Sequence, residues 1–500
     1  MQTITKDELL KLKSGSDIRG TAVETETEKV QLTDEVVKSV CTAFVRWYKE
    51  KFNCADFTIA VGHDSRISAN RIKNAAVSAF CSEGALVYDC GLCATPAMFM
   101  AVVSDIKACA SLEITASHHP YQKNGLKFFT PNGGLEGYEV EEILNLAFDI
   151  DYGCEKGEVK EYDFMSVYSA HLRNIIINAV NDGDKPLCGL KISVDSGNGA
   201  GGFYSKNVLE PLGADVSASQ FSEPDGMFPN HIPNPENPEA MECAQKMVLE
   251  SNSDFGVIFD TDVDRMGCVS SDGMEINRNR LVALASAIAL QNNEGGTIVT
   301  DSLTSDGLRE FIEKKLGGKQ LRYKRGYKNV IDKALELNQD GVNCPLAIET
   351  SGHAALRENY FLDDGAYLAA KIISLAALLK KQGKDINSLI SELKEPAESV
   401  EIRIPIKEND FKTYGQNVID ALALFARENP AWEIEKENYE GIRVNFSGGW
   451  FLLRLSVHDP ILPLNIECEE KGISAKVASQ IKAFAQKFEK LDLSNFDKVL

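Results

Sequence analysis

Short apolar segments alternate with longer helix-like segments along most of this chain, and that pattern constrains the fold more than any other feature. Each apolar segment ends in a polar loop, and a helix-like stretch such as residues 69–83 follows. Alternation of this kind predicts the α/β class, with helices covering mainly parallel sheets. The predicted strands are residues 57–61, 85–88, 108–114, 190–194, 255–259, 297–300 and 345–348.

The C-terminal part of the sequence follows a different pattern, in which strand-like segments are joined by short links. This pattern predicts a smaller α+β domain after three similar α/β domains, a number of domains that suits 500 residues. The predicted C-terminal elements are strands 400–406, 442–446, 450–456 and 462–468 and a helix over 475–490. Domain boundaries are predicted at 151–161, near 275–280 and at 394–396.

The composition is ordinary for a globular protein, with 44% hydrophobic and 25% charged residues. No apolar run approaches the roughly 20 residues that span a bilayer, and residues 1–20 lack the apolar core of a signal peptide. We therefore expect a cytoplasmic protein without a membrane partner. The formal net charge of −21 argues against nucleic acid as a partner, because phosphate backbones select basic surfaces.

Twelve cysteines are scattered through the sequence, and Cys90 and Cys93 form its one CxxC motif. A redox or metal-binding role is one interpretation, but no second CxxC completes a zinc site. Packing of small, buried side chains is the interpretation that we favour. Free thiols are typical of a reducing compartment.

Ser117 lies in the segment Thr-Ala-Ser-His-His-Pro, directly after the predicted strand 108–114. Open α/β sheets carry their chemistry at the carboxyl ends of strands, which makes the Ser117 hydroxyl a candidate nucleophile. One alternative is an N-cap for a helix after Pro120. A Ser-His-Asp hydrolase is another, although the G-x-S-x-G elbow is absent and the adjacent His118 is poorly placed as a triad base.

Three carboxylates, Asp260, Asp262 and Asp264, alternate along a loop after another apolar strand. Carboxylates in this arrangement can converge on a hard cation such as Mg²⁺. An EF-hand is disfavoured because Arg265 and Ser271 occupy the positions of its Gly and Glu. A solvated acidic loop is the other alternative. A hydroxyl nucleophile together with a carboxylate cluster favours phosphoryl transfer.

Glu349, Ser351 and His353 follow the predicted strand 345–348. A carboxylate and a hydroxyl at alternate positions can face one ligand, and a sugar diol suits that pair. An ordinary strand-to-helix turn is the alternative.

Arg454, Ser456 and His458 alternate at the end of the predicted strand 450–456, which would place them on one face. A guanidinium and a hydroxyl on one face form a candidate phosphate clamp, and a half-exposed strand is the alternative. Lys127, after a turn predicted at Gly125, and Arg19 can bring further positive charge to a phosphorylated substrate.

Together these loops resemble the motifs of the α-D-phosphohexomutase family, in its bacterial phosphomannomutase/phosphoglucomutase form. Residues 115–120 look like the family's phosphoserine loop, and residues 260–265 match its D-x-D-x-D-R metal loop. Residues 349–353 match its E-x-S-G-H sugar loop, and residues 454–460 look like a variant of its phosphate loop. The motifs occur in the family's order and span nearly the whole chain.

The resemblance implies four domains around a central cleft, over residues 1–163, 164–279, 280–395 and 396–500. It implies that Ser117 carries a phosphoryl group, which together with Asp260, Asp262 and Asp264 holds Mg²⁺. That group would pass to a phosphosugar, mannose and/or glucose phosphate, through a hexose 1,6-bisphosphate. A monomer or homodimer is expected. The other implied roles are catalytic for Arg19, His118 and Lys127 and substrate-binding for Arg265, Lys324, Glu349, Ser351, His353, Arg454, Ser456 and His458.

Some residues depart from the family's pattern. His119 takes the place of the usual Asn, and Ile348 the place of the Gly before the sugar loop. Ser302 and Tyr327 replace a lysine and a histidine that some members carry, which leaves the general base unassigned.

Three alternative functions remain open at this point. A phosphoglucosamine mutase belongs to the same class, although the E-x-S-G-H form leans away from amino sugars. A catalytically silent paralogue acting as a binding protein is disfavoured by the presence of Ser117, the three aspartates and Arg454. A metal-dependent phosphatase would lose the phosphoryl group to water, and release of inorganic phosphate distinguishes it from a mutase.

Overall fold

The computed structural model describes residues 4–104, 106, 108–456 and 459–500, and the chain divides into two compact units. Unit 1 comprises the chain up to Leu281 together with Ser351–Ser388. Unit 2 comprises Val282–Thr350 together with Leu389–Leu500. The four-domain division derived from the sequence remains a prediction.

The helices and strands are as follows. The N-terminal elements are α1 (Lys6–Leu10), β1 (Lys13–Ser14), β2 (Asp17–Thr21), α2 (Asp34–Phe52), β3 (Thr58–His63), α3 (Ala69–Ser82), β4 (Leu86–Leu92), α4 (Thr95–Val103), β5 (Ala110–Ile114), β6 (Lys123–Thr130), β7 (Gly133–Gly134), α5 (Gly137–Ala147) and β8 (Glu158–Glu161). The central elements are α6 (Phe164–Val180), β9 (Ile192–Asp195), α7 (Pro238–Ser251), β10 (Phe255–Phe259), β11 (Met266–Ser270), β12 (Glu275–Ile276), α8 (Arg278–Leu290), β13 (Thr297–Thr300), α9 (Asp306–Glu310), β14 (Lys319–Arg322), α10 (Tyr327–Gln339), β15 (Leu346–Ile348), β16 (Ala354–Leu356) and α11 (Gly365–Lys381). The C-terminal elements are β17 (Glu398–Pro405), α12 (Phe411–Glu428), β18 (Trp432–Ile434), β19 (Ile442–Phe446), β20 (Gly449–Leu453), β21 (Ile461–Cys468) and α13 (Ile473–Ala485).

The first sheet of unit 1 has the strand order β1-β2-β6-β5-β3-β4-β8, with β7 paired to β6. Strand β3 is parallel to both of its neighbours, β4 and β5, whereas β6 is antiparallel to β5 and β2. Because neighbouring parallel strands end at the same edge of a sheet, the loops after β3, β4 and β5 lie side by side. This edge carries Ser117.

The core of this sheet is built around helix α2, whose N-cap Thr33 accepts a hydrogen bond from the backbone N–H of Val36. The helix ends at Phe52, and the next residue, Asn53, adopts the left-handed conformation that terminates helices. Phe44 of this helix is fully buried and stacks on Phe128 of β6, with ring centroids 4.0 Å apart. The helix is therefore fixed to the sheet by aromatic packing.

Replacing Phe44 by alanine is expected to lower the free energy of unfolding by about 3–5 kcal/mol, because the surrounding core cannot collapse into the space of a whole ring. Urea denaturation followed by the fluorescence of Trp47, whose ring stacks on Phe44, measures the change. Tyr138→Ala is the matched control, since that side chain is 60% exposed and its loss should cost no more than about 0.5 kcal/mol. Equal effects of the two changes would contradict this account of the core.

The other three sheets are smaller. In unit 1, β10 is parallel to β9 and antiparallel to β11, and helix α11 packs against α6. In unit 2, β13 is parallel to both β14 and β15. The C-terminal sheet is antiparallel, in the order β17-β21-β20-β19-β18. The predicted fold class, α/β domains followed by a smaller α+β part, is confirmed.

Some local predictions were wrong. No helix follows Pro120, because the next element is strand β6, so Ser117 is not a helix N-cap. Gly125 lies within β6 rather than in a turn. A Cβ there would stand 2.6 Å from the Thr115 carbonyl oxygen, so glycine is required by the close approach of two backbones. Strand β20 ends at Leu453, one residue before the predicted phosphate loop.

Within the part of the chain that the structure describes, no helix is both long enough and apolar enough to traverse a lipid bilayer.

Candidate active site

Ser117 lies just beyond the carboxyl end of β5 and is 4% exposed. Its φ angle is 51°, in the left-handed region that residues with a Cβ rarely adopt. Its hydroxyl oxygen lies 2.9 Å from Nη2 of Arg265, 3.2 Å from Nδ1 of His118 and 3.3 Å from Oδ2 of Asp260. A hydroxyl held by three polar groups in a strained loop has the preorganisation of a reacting group.

Arg66 holds the loop in this conformation. It donates hydrogen bonds to the carbonyl oxygens of Ser117 (2.5 Å), His119 (2.6 Å), Pro120 (2.8 Å) and Lys123 (3.0 Å). Four carbonyls on one guanidinium fix the path of the backbone on both sides of the proline.

Asp64 completes this support from the loop after β3. Its carboxylate accepts hydrogen bonds from Nε of Arg66 at 3.0 Å and from Oγ1 of Thr115 at 2.8 Å. Oγ1 of Thr115 in turn accepts the backbone N–H of Ser117 at 2.9 Å. Burial raises the pKa of Asp64 to about 6, against the pull of the Arg66 charge.

We expect Arg66→Lys to lower the kcat of the expected phosphohexomutase reaction by about 10²-fold while the protein stays folded. A single ammonium group cannot bind four carbonyl oxygens, so the Ser117 loop loses its position. Steady-state kinetics and circular dichroism measure the two effects. Arg71→Lys is a matched control, since Arg71 also donates to two carbonyl oxygens, of Ala22 and Leu32, but away from Ser117. A variant at Arg66 with unchanged kcat would contradict the positioning role.

The acidic loop joins the antiparallel strands β10 and β11. Asp260, Asp262 and Asp264 are all fully buried, and one oxygen of each lies within 4.8 Å of the others. Burial raises the pKa of Asp260 well above its ordinary value. Three carboxylates so close together in the interior require a compensating positive charge.

The orphaned oxygens of this loop fit a hard cation. Oδ1 of Asp262 and Oδ1 of Asp264 are buried and accept no hydrogen bond from any residue that the structure describes. Mg²⁺ prefers carboxylate oxygens and is held by few of them together with phosphate oxygens. Both the three carboxylates and the two oxygens without a hydrogen-bond partner therefore fit Mg²⁺.

Arg265 joins the acidic loop to the serine loop. Its Nε donates to Oδ2 of Asp260 at 3.0 Å, and its Nη2 donates to Ser117 at 2.9 Å and lies 2.5 Å from Nδ1 of His118. The Arg265 charge, aided by burial, holds the pKa of His118 well below its ordinary value. His118 is therefore neutral, and its Nδ1 can accept a hydrogen bond.

The other two carboxylates have partners on neighbouring elements. Thr95, the first residue of α4, donates from its Oγ1 to Oδ2 of Asp262 at 2.5 Å and from its backbone N–H to the Asp262 carbonyl at 2.9 Å. Lys127 of β6 donates from Nζ to Oδ2 of Asp264 at 2.8 Å. Burial by itself would raise the pKa of Asp264, but the charges around it, with the Lys127 ammonium first among them, hold that pKa below its ordinary value.

His353 lies against the same loop. Its Nδ1 is 2.6 Å from Oδ2 of Asp363 and 3.8 Å from Oδ1 of Asp264. Burial alone would lower the pKa of His353, but these two carboxylates raise it to about 9, so the ring is charged at neutral pH. Ser351 is also buried here, and Gly352 has a φ of 97° that brings the backbone against Met266.

Arg19, in β2, contributes charge to the serine loop. It pairs with Asp17, with Nη2 and Oδ2 2.6 Å apart. Burial and the Arg19 charge lower the pKa of His119 to about 4. The structure thus brings together, within unit 1, all the predicted residues of the serine and metal loops.

Other predicted residues lie in unit 2. Glu349 follows β15, is buried, and accepts the backbone N–H of Gly326 at 2.6 Å. Lys324 precedes that glycine and is exposed, with its Nζ 5.9 Å from the Tyr323 ring centre. The sugar-loop carboxylate and the segment of Lys324 therefore lie close together.

Arg454 follows β20 and is buried, with Nη1 3.9 Å from Oε1 of Glu440. Glu440 also accepts hydrogen bonds from Oγ of Ser302 at 2.5 Å and from the backbone N–H of Arg325 at 3.1 Å. Ser456 accepts the backbone N–H of Asp459 at 3.2 Å. His458 lies outside the described residues.

Sequence reasoning missed several residues of these sites. Asp64 and Arg66 directly follow strand β3, and the positional argument used for Ser117 applies equally to them. Thr95 gave no such signal, because its partner Asp262 is remote in sequence. Asp363 gave none either, because it does not directly follow a strand that the sequence predicted. Glu440 also gave none, since its position in a polar loop resembles that of any surface glutamate.

Comparison with known proteins supports the family that the sequence motifs resemble. Domains I, II and III of the Phosphoglucomutase/phosphomannomutase family, each described as alpha/beta/alpha, match residues 11–152, 166–273 and 277–396. A phosphomannomutase/phosphoglucomutase from Pseudomonas putida is 31% identical over 414 residues, which are 82% of this chain and 83% of that protein. A phosphoglucomutase/phosphomannomutase from Thermococcus kodakarensis is 32% identical over 426 residues, 83% of this chain and 87% of that protein.

Solved structures agree. A phosphoglucomutase/phosphomannomutase family protein from Burkholderia thailandensis matches with a TM-score of 0.80 at 25% identity. The match covers 96% of this chain and 97% of the Burkholderia chain. A phosphoglucomutase from Paramecium shares the fold, with a TM-score of 0.70 at 15% identity over 95% of each chain. The chain therefore belongs to the phosphoglucomutase/phosphomannomutase family of α-D-phosphohexomutases.

Proposed function

We propose that this protein is a phosphohexomutase that interconverts the 1-phosphate and 6-phosphate of mannose and/or glucose. The observation that carries the proposal is the Ser117 hydroxyl, held by Arg265 beside three fully buried carboxylates. The names of the relatives in Pseudomonas and Thermococcus support the two sugars. No structural observation favours an amino sugar.

In this proposal Ser117 carries the phosphoryl group. An oxygen of a sugar hydroxyl attacks its phosphorus, the bond from phosphorus to Oγ breaks, and Ser117 recovers a proton while the sugar hydroxyl loses one. The resulting hexose 1,6-bisphosphate then returns its other phosphoryl group to Oγ. Nδ1 of His118 lies 3.2 Å from Oγ, close enough to hydrogen-bond the serine hydroxyl and orient it.

Asp260, Asp262 and Asp264 would hold Mg²⁺ together with an oxygen of the phosphoserine. The ion offsets negative charge on the phosphoryl group during transfer. Arg265 supplies a second positive charge that also fixes the Oγ position, and Lys127 fixes the carboxylate of Asp264. Positioning and charge compensation are the main requirements of phosphoryl transfer.

We assign substrate binding to the remaining predicted residues. Glu349, Ser351 and His353 would bind the sugar hydroxyls, with Lys324 as a further contact. Arg454, Ser456 and His458 would bind the phosphate that does not react. With this assignment we retain the division into four domains at residues 1–163, 164–279, 280–395 and 396–500.

A mutase assay on the purified protein tests the function. The protein, Mg²⁺ and a trace of glucose 1,6-bisphosphate are incubated with the 1-phosphates of mannose, glucose, glucosamine and N-acetylglucosamine. Conversion of the mannose or glucose compound to its 6-phosphate is the expected result. Conversion of glucosamine 1-phosphate alone would replace the proposal with a phosphoglucosamine mutase.

Two further outcomes would contradict the proposal. Release of inorganic phosphate in place of conversion would identify a phosphatase. No reaction of folded, Ser117-phosphorylated protein with any of the four sugars would identify a silent paralogue.

A further inference from the structure

Cys90 and Cys93 lie at the same sheet edge as the serine loop. Strand β4 bulges at Cys90: Val61 of β3 pairs with Asp89, and the next residue, Gly62, pairs with Gly91, so Cys90 is the extra residue. Cys90 is partly exposed, whereas Cys93 is buried. An accessible thiol and a buried thiol therefore share one short turn.

The turn brings the two cysteines together. Gly91 has a φ of 65°, which only glycine adopts easily, and the Sγ of Cys93 lies 3.3 Å from the carbonyl oxygen of Cys90. The Cys90 thiol, burial and the Glu113 carboxyl all raise the pKa of Cys93. The two cysteines are not joined by a disulfide in this structure.

Glu113 of β5 is a buried acid beside this pair. It is fully buried, and neither of its carboxyl oxygens has a hydrogen-bond partner among the residues that the structure describes. Its Oε2 and the Cβ of Cys93 lie 2.6 and 2.8 Å from the point where a Gly62 Cβ would stand. A buried carboxyl without a partner costs free energy, so a role in chemistry is a better explanation than packing.

Ala94 and Thr95 link the turn to the metal loop, because Thr95 is hydrogen-bonded to Asp262. Thr95 follows Cys93 after Ala94, and both its hydroxyl and its backbone N–H donate to Asp262. Both Ala94 and Thr95 are buried in the packed interior. A movement of Cys93 therefore displaces Thr95 as well, because close packing leaves no free space between them.

We propose that Cys90 and Cys93 are a reversible oxidation site, and that their disulfide lowers mutase activity by moving Thr95 away from Asp262. The oxidant is a small disulfide of the glutathione class. Glu113 is the proton acceptor for Cys93. The effect on activity rests on the proposed function, whereas formation of the disulfide does not.

The chemistry is ordinary thiol–disulfide exchange. The Cys90 thiolate attacks one sulfur of the small disulfide, whose S–S bond breaks, and one thiolate leaves with the electron pair. Cys93 gives its proton to the Glu113 carboxylate and attacks the sulfur of Cys90, which releases the second small thiolate. Two protein thiols are oxidised, two small thiols are formed, and these take up the two protons.

Burial and the neighbouring Asp64 and Asp262 charges raise the pKa of Glu113. Burial favours the protonated acid, but whenever Glu113 is ionised it binds a proton more tightly than an ordinary carboxylate does and can take the proton of Cys93. Metal binding is a poorer explanation of the cluster. Among the described residues, the groups whose ligand atoms converge closely enough to hold an ion do not include Cys90, Cys93 or Glu113.

The chain contains a matched control pair. The Sγ atoms of Cys54 and Cys109 lie 3.7 Å apart, but Cys54 follows α2 and Cys109 precedes β5, at the opposite edge of the sheet. Oxidation of that pair would not reach Thr95 through the backbone.

The experiment uses the full chain, incubated with oxidised glutathione, trapped with an alkylating agent and mapped by peptide mass spectrometry. We expect a Cys90–Cys93 disulfide, a fall in mutase activity of about tenfold or more, and recovery with dithiothreitol. Cys90→Ser should keep the activity of the reduced protein and resist the oxidant. The Cys54→Ser/Cys109→Ser variant should respond as the wild type does.

Glu113→Gln tests the proton acceptor. It should slow closure of the mixed disulfide by about 10²-fold without changing the activity of the reduced protein. Closure at the wild-type rate would remove Glu113 from the proposal. If Cys90 and Cys93 stay reduced or stop at the mixed disulfide, the oxidation site is wrong.

Full activity of the oxidised protein would disprove the connection through Thr95. If the reduced protein has no mutase activity, the proposed function fails, but the peptide map still decides whether the disulfide forms.

Discussion

Ser117→Ala is expected to lower mutase activity by at least about 10⁴-fold, because the protein loses the oxygen that carries the phosphoryl group between the two transfers. The fold should be unaffected, since the Ser117 backbone contacts with Thr115 and Arg66 do not involve the side chain. The assay with glucose 1,6-bisphosphate and the urea midpoint measure the two effects.

Ser39→Ala is the matched control. Ser39 is a serine of helix α2 whose hydroxyl contacts Tyr152, away from the acidic loop. It should keep wild-type turnover and, after incubation with the bisphosphate, the mass of one bound phosphoryl group, whereas Ser117→Ala should gain none. Normal turnover of Ser117→Ala would rule out a phosphoserine at this position.

Asp262→Asn is expected to lower activity by about 10³-fold and to remove most of the response to Mg²⁺. Asparagine has the same shape and can still accept the Thr95 hydroxyl hydrogen bond, so the loop should keep its path. Without metal the variant should be at least as stable as the wild type, because one of three crowded buried carboxylates has lost its charge.

Thermal unfolding provides a measurement that does not depend on turnover. A ligand at 100 times its dissociation constant stabilises the folded state by about 2.7 kcal/mol, so the Tm of the wild type should rise with Mg²⁺ and that of Asp262→Asn should not. Asp215→Asn, a change at an exposed carboxylate, should behave as the wild type does. An equal rise in Tm for all three proteins would remove Asp262 from the metal site.

Several strand positions were predictable from sequence, because a run of apolar residues marks many buried strands, although the buried strand β11 was missed. Residues 255–259, 297–300 and 442–446 were predicted with the bounds that the structure has. The segment after Pro120 was not, because its residues Lys123 to Thr130 pair with both β2 and β5, and such pairing is decided by neighbours far along the chain.

The sequence by itself determined which residues are candidates for the chemistry, since Ser117 and the three aspartates each follow a strand that local composition marks. Only the tertiary structure decided which groups support them. Arg66 and Thr95 contact the serine and metal loops from other elements, and Asp363 contacts His353. The strands around Glu113 leave its carboxyl oxygens without a hydrogen-bond partner among the described residues. Such contacts depend on which strands become neighbours. Because pairing of remote strands is fixed by the packing of the whole sheet, no local pattern encodes it.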